Sequence, residues 1–380
     1  MQKNYLLTPG PTALPPDVCA ALGRPIIHHR TPQFKRVLAE ADQGLKYLFR
    51  TKNDVFILTS SGTGAMEAAV TNLLSPGDLA LVIEGGKFGE RWTEICRAYG
   101  IDTHAIRVEW GRAVSVSEIK LRIKAEGRRL KAVFVTHCET STGVTNDIKK
   151  IAAVVAGTDA VLVVDAISSL GVLPLETDNW GLDVVVSGSQ KGLMLPPGLG
   201  FITLGKRAWQ VIKRGTACPN YYFSLKRAKQ AYDLSDTPWT PGINLIVALN
   251  QSLALLKNEG LDNLFSRYKK MARAARAAAE ALGLALLAAP DAASDAVTAI
   301  KLPAGIDGVK LVKAMRDEQG VAVAGGQGKL KGRIVRIAHM GYISKFDIIV
   351  AISCLEAQLL KMGHNLELGA GVRAASSILD

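Results

Sequence analysis

The run Val184-Val-Val-Ser-Gly-Ser-Gln-Lys-Gly192 decides how this chain is read. Val184 to Val186 predict a short, fully buried β-strand, which then breaks into small and polar residues and Lys191. A lysine just past a buried strand is poorly solvated. Its amine then loses its proton more readily and can form a Schiff base with an aldehyde. The ordinary alternative is a solvated lysine in a loop. A second apolar run, Ala160 to Val164, ends in Asp165, and a carboxylate at a strand's carboxyl end is the partner a pyridinium nitrogen needs. Asp165 and Lys191 together point to pyridoxal phosphate (PLP).

Around this pair, residues 55 to 205 alternate apolar runs with helical patterns. Strands are predicted at 55–59, 79–84, 103–108, 132–136, 160–165, 184–187 and 200–204, with amphipathic stretches such as 64–74 and 89–99 between them. Such alternation predicts an α/β fold with a mostly parallel seven-stranded sheet covered on both faces, and ligands collect at the carboxyl ends of its strands. Residues 245–282 read as helical. Beyond them, strands at 297–302, 321–324 and 334–338 and helices at 307–319 and 345–361 predict a smaller α+β domain. We divide the chain into an N-terminal segment (1–20), a large domain (21–255) and a small C-terminal domain (256–380).

With 48% apolar and 21% charged residues, the 380-residue chain has the composition of an ordinary globular protein. It has neither an apolar run long enough for a membrane span nor a signal-peptide pattern at its start. Its five scattered cysteines form no Cys-x-x-Cys pair, which fits reduced thiols and a cytoplasmic location. The formal charge of +12 is spread along the chain rather than gathered into a nucleic-acid motif. The densest basic run, 120–131, reads as the exposed face of a surface helix. A general positive field favours anionic substrates and a phosphorylated cofactor.

Several predicted strand ends carry a candidate site with a plainer reading beside it. Ser61, Gly62 and Thr63 leave a strand and enter a helix, where free amides can hold phosphate; the alternative is N-capping by Thr63. Phe88, between glycines, can lie flat on a planar ring or pack into the core. Thr140, in a run of three hydroxyl residues, can bond a ring hydroxyl or phosphate. His137 at the same strand end reads as structural, and nothing around Cys138 predicts an activated thiolate. Arg336, inside an apolar strand, needs an anion, either a substrate carboxylate or a structural ion-pair partner. The sequence carries no dinucleotide or nucleotide phosphate motif, and no zinc spacing, so no metal is expected.

Taken in order, Leu7-Thr-Pro-Gly-Pro-Thr, His29-Arg-Thr-Pro-Gln-Phe, the 59–69 run, Gly86-Lys-Phe-Gly-Glu-Arg-Trp, Glu139-Thr-Ser-Thr-Gly-Val, Val164-Asp-Ala-Ile-Ser-Ser-Leu-Gly, Ser187-Gly-Ser-Gln-Lys and Pro196-Pro-Gly-Leu-Gly resemble the class V aminotransferases of PLP fold type I. Within that family the chain is most similar to the alanine–glyoxylate, serine–glyoxylate and serine–pyruvate group. The resemblance implies that Lys191 forms the Schiff base and moves the proton, while Asp165 pairs with the ring nitrogen. It implies that Phe88 stacks on the ring, where relatives often have tryptophan. Ser61, Gly62, Thr63 and Gln190 would hold the phosphate, Thr140 the ring hydroxyl side, and Ile167 would also touch the cofactor. Arg336 would grip the substrate α-carboxylate. It further implies a homodimer with sites at the interface, Thr240 supplying the partner's phosphate contact, although the surrounding 238–242 segment departs from the tyrosine-containing version. The expected reaction moves the amino group of alanine, serine or aspartate to glyoxylate or pyruvate, with neither nucleic acid nor membrane as partner. His29, Arg30 and Lys87 are candidates for recognising a substrate side chain. The competing readings are a cysteine desulfurase or lyase on the same scaffold, and a non-catalytic binding protein.

Overall fold

A computed structural model describes residues 3–380. Its seven-stranded sheet runs in the order Val55–Leu58, Gly200–Leu204, Val184–Gly188, Val161–Asp165, Leu130–Thr136, Leu79–Glu84, Asp102–Arg107. Only Gly200–Leu204 is antiparallel to its neighbours. The central strands are buried along their whole length, as uninterrupted Val/Leu/Ile runs require when helices cover both faces. The outer strand Asp102–Arg107 shows an alternating pattern because one side faces solvent.

The parallel arrangement brings the carboxyl ends of the strands ending at Leu58, Glu84, Thr136, Asp165 and Gly188 to one edge. Residues 61–63, 85–88, 137–140, 165–167 and 189–191 therefore converge there, although they are far apart in sequence. The chain has the predicted α/β architecture with its mostly parallel seven-stranded sheet.

A second, antiparallel sheet pairs Ile334–Ala338 with Val297–Lys301 on one side and Ala324–Gly325 on the other. The predicted strand at 321–324 is broken. Val321–Ala322 instead pairs with Tyr5–Leu6, so that N-terminal segment is laced into this part of the molecule. The helix Leu261–Ala281 places Leu261, Leu264 and Tyr268 in the large core and Met271 to Ala279 in the small one, tying the two together. The basic run 120–131 also differs from expectation. Its helix is Val116–Glu126, the break falls at Gly127, and Leu130 and Lys131 already belong to a sheet strand. Leu130 is drawn inward by the core, which overrides the helical spacing of its charges. Among the described residues no helix is long and apolar enough to cross a membrane.

Candidate active site

The turn after Val184–Gly188 sets Lys191 in place. Ser189 Oγ donates to Pro196 O (2.7 Å), and Met194 N–H donates to Lys191 O (3.0 Å) with Met194 in the left-handed region at φ 53°. A non-glycine residue there stores strain that the surrounding bonds hold. Lys191 is 8% exposed, and its amine donates to Pro9 O. Thr12 Oγ1 in turn donates to Lys191 O (3.0 Å), so the N-terminal segment crosses directly over the lysine. Gly10 lies against the lysine side chain at φ 106°, a backbone conformation that favours glycine. Burial, with the nearby Arg336 charge adding to it, lowers the Lys191 pKa to about 8.

Asp165 ends its strand 3% exposed, and its Oδ1 accepts from Ile167 N–H (2.8 Å). Burial raises its pKa to about 7, and the Glu139 charge pushes the same way. Phe88 does not pack into the core. It lies half-buried in the first turn of the helix Lys87–Ala98, with its ring centroid 6.0 Å from Lys191 Nζ and 4.9 Å from the Arg91 guanidinium carbon.

At the start of the helix Gly62–Leu73, the N-cap is Ser61 rather than Thr63, and the Ser61 side chain makes no cap bond. Thr63 lies one residue inside the helix, where it cannot cap; its Oγ1 accepts a long bond from Arg91 (3.4 Å). Free first-turn amides beside two hydroxyls form a cradle for an anion. A Cβ on Gly62 would run into Ile167, which places that side chain against the cradle. Thr140 Oγ1 and Gln190 Oε1 are buried without a hydrogen-bond partner among the described residues. Buried polar atoms are almost always satisfied, so two orphans beside a depressed lysine indicate a place for a polar ligand. A phosphorylated aldehyde with an aromatic ring fits this set of groups.

Arg336, 5% exposed, donates from Nε to Gly325 O (2.9 Å) and from Nη1 to Thr140 O (2.8 Å). No carboxylate among the described residues comes within 4.0 Å of it, so the structural ion pair is not formed. Burial lowers its pKa to about 10, against the opposing pull of Glu139. An unpaired buried guanidinium is costly unless an anion arrives.

The other sequence candidates lie apart from this group or are already engaged. Arg30 pairs with Asp236 and donates to Thr237 O, His29 stacks on His28 at 5.0 Å, and Lys87 pairs with Glu90. Thr240 is exposed, and Gly242 N–H donates to Thr59 Oγ1 (3.1 Å), setting this segment beside the 59–63 turn. Burial pushes the Cys138 thiol up to about 12 and lowers His137 to about 4. Near neutrality the thiol keeps its proton and the imidazole is uncharged. Sequence reasoning overlooked Glu139 and Pro9; the first is a buried carboxylate and the second a backbone carbonyl. Among the described residues no group of three or more His, Cys, Asp or Glu side chains is arranged to hold a metal ion.

Residues 4–341 match the family described as Aminotransferase class-V. A soluble hydrogenase 42 kDa subunit from Anabaena cylindrica is 44% identical over 379 residues, covering 99% of this chain and 98% of that protein. An L-aspartate–glyoxylate aminotransferase from Paracoccus denitrificans is 36% identical over 378 residues, covering 98% of this chain and 95% of that protein. The solved ureidoglycine–glyoxylate aminotransferase from Bacillus subtilis superposes with a TM-score of 0.94 at 30% identity, covering 100% of this chain and 98% of that one.

Proposed function

Because the chain belongs to the class-V aminotransferases, a family of PLP-dependent transaminases, we propose that it moves the amino group of a small L-amino acid to glyoxylate or pyruvate. Alanine, serine and aspartate are the donors we favour. One observation carries this reading: a buried amine, Lys191, and a buried guanidinium, Arg336, held on Thr140 O, lie at the same strand-end edge, and neither has a carboxylate within 4.0 Å among the described residues. The amine is suited to a carbonyl and to a proton at Cα, and the guanidinium to a carboxylate. The aspartate–glyoxylate relative supports the choice of acceptor.

When bound, PLP supplies an aldehyde that captures an amine and a ring that spreads the charge left at Cα. The chain's own residues do the rest. In this proposal Arg336 binds the α-carboxylate through its planar fork and so orients the Cα–H bond. Lys191 Nζ takes that proton and later returns it, which its lowered pKa permits near neutrality. Asp165 holds a proton on the ring nitrogen, and Phe88 covers one face of the ring. Ser61, Gly62, Thr63 and Gln190 hold the phosphate, Thr140 the ring hydroxyl side, and Ile167 packs beside them. We further propose a homodimer in which Thr240 reaches the partner's phosphate site. Its neighbour Trp239 stacks on Tyr221 and Tyr222, which are 64% and 45% exposed. An exposed aromatic group of this kind suits an interface.

The test is a panel of L-alanine, L-serine and L-aspartate against glyoxylate, pyruvate and 2-oxoglutarate. We expect ping-pong kinetics with glyoxylate or pyruvate as acceptor. Sulfide release from cysteine without transamination of any pair would overturn the reading in favour of a desulfurase.

A further inference from the structure

We propose that Glu139 is a positioning residue that holds Phe88 and Arg336 in one rigid frame. This rests on the roles given above to those two residues. Glu139 is 1% exposed. Its Oε2 accepts the backbone N–H groups of Phe88 (3.0 Å) and Gly89 (2.9 Å), in the first turn of the helix Lys87–Ala98. Its Oε1 accepts the Ser141 hydroxyl (2.5 Å) and the Ser141 N–H (3.3 Å). The Ser141 hydroxyl oxygen in turn accepts Lys87 N–H (3.0 Å). One residue on, Thr140 O is the acceptor for Arg336 Nη1. A single loop thus clamps the aromatic ring's turn with a side chain and the guanidinium with the next carbonyl.

Plain capping of a helix start would also place an acid near free amides. Capping is local in sequence, however, whereas this acid comes from a different strand end. It also has no basic partner within 4.0 Å among the described residues. Burial pushes its pKa up while the four donors oppose that shift. The donor pattern is the discriminating feature. Every contact delivers a hydrogen to the carboxylate, so both oxygens must accept. Glutamine has the same shape, but one orientation turns its NH2 toward the Phe88 and Gly89 N–H groups, and the other turns it toward the Ser141 N–H and forces the Ser141 hydroxyl to reverse and accept.

The experiment compares wild type and Glu139→Gln as full-length protein. It reads the PLP dissociation constant by fluorescence quenching, and KM and kcat for an L-amino donor. We expect the PLP dissociation constant and KM each to rise about tenfold, with kcat within about threefold. A variant whose dissociation constant and KM stay within about twofold of wild type overturns the proposal, even if its melting temperature falls. Should the glutamine variant not fold, Ser141→Ala removes one donor and keeps the charge. Shifts of about threefold in the same direction support the frame, and unchanged values overturn it. If wild type transaminates no pair, the proposed function fails separately, because PLP binding still decides this inference.

Discussion

Lys191 Nζ stands 6.0 Å from the centre of the Phe88 ring, inside the edge where five strand ends meet. The amine's other contact, the carbonyl of Pro9, belongs to a segment that arrives from the small sheet: Leu7 O accepts from Ala338 N–H (2.9 Å), two residues beyond Arg336. The lysine is thus bracketed by an aromatic face from one sheet and by a strap anchored on the other. Three residues of chain, Leu7 to Pro9, connect the small sheet to the amine.

Replacing Arg336 by alanine is expected to raise KM for the amino donor by about 30-fold or more, the loss of a charge-assisted two-point contact. kcat should fall less. Lysine at 336 should rescue only part of the effect, because one ammonium cannot bond Thr140 O and Gly325 O while presenting a fork to the substrate. Steady-state kinetics check this, and an unchanged KM in the alanine variant would refute the assignment.

Asp165→Asn should retain the cofactor but lower kcat by about two to three orders of magnitude, since a preorganised counter-charge is removed while the shape is kept. Single-turnover absorbance separates the two effects. A variant within about threefold of wild type would show that the aspartate is merely structural.

Cofactor capture by the cofactor-free protein should depend on pH with a midpoint near 8. Burial lowers the Lys191 pKa, so the neutral, reactive amine is half formed at about 8, and the rate should level off above it. An unperturbed amine would instead keep gaining rate toward 10.5. The sign for stability follows. Between about 8 and 10.5 the unfolded chain holds the proton that the folded amine has lost, so this group's contribution to stability rises with pH across that window. Stopped-flow absorbance, corrected with a small alkylamine control, measures the rate.

Much of this site was legible in the sequence because strand-end chemistry is a local pattern. Apolar runs such as Val184–Val186 and Ala160–Val164 fix where strands stop, and the residues that follow gather at one edge by topology alone. What could not be read depended on contacts between distant segments. Glu139 looked like one more polar residue in a hydroxyl-rich turn until the 87–89 amides were brought against it. Pro9 offers a backbone carbonyl, which no side-chain pattern announces. The N-cap is Ser61 rather than Thr63, a two-residue difference at a helix end of the size that local sequence patterns do not resolve. The basic run 120–131 split because Leu130 found a place in the sheet.

The central claim is a covalent one: the vitamin B6 aldehyde is carried on the ε-nitrogen of residue 191. Reducing the loaded protein with borohydride and mapping its peptides by mass spectrometry tests it directly. The account predicts a single pyridoxyl adduct on the peptide containing Lys191, absent from Lys191→Ala. An adduct on another lysine, or none in fully loaded protein, would contradict it.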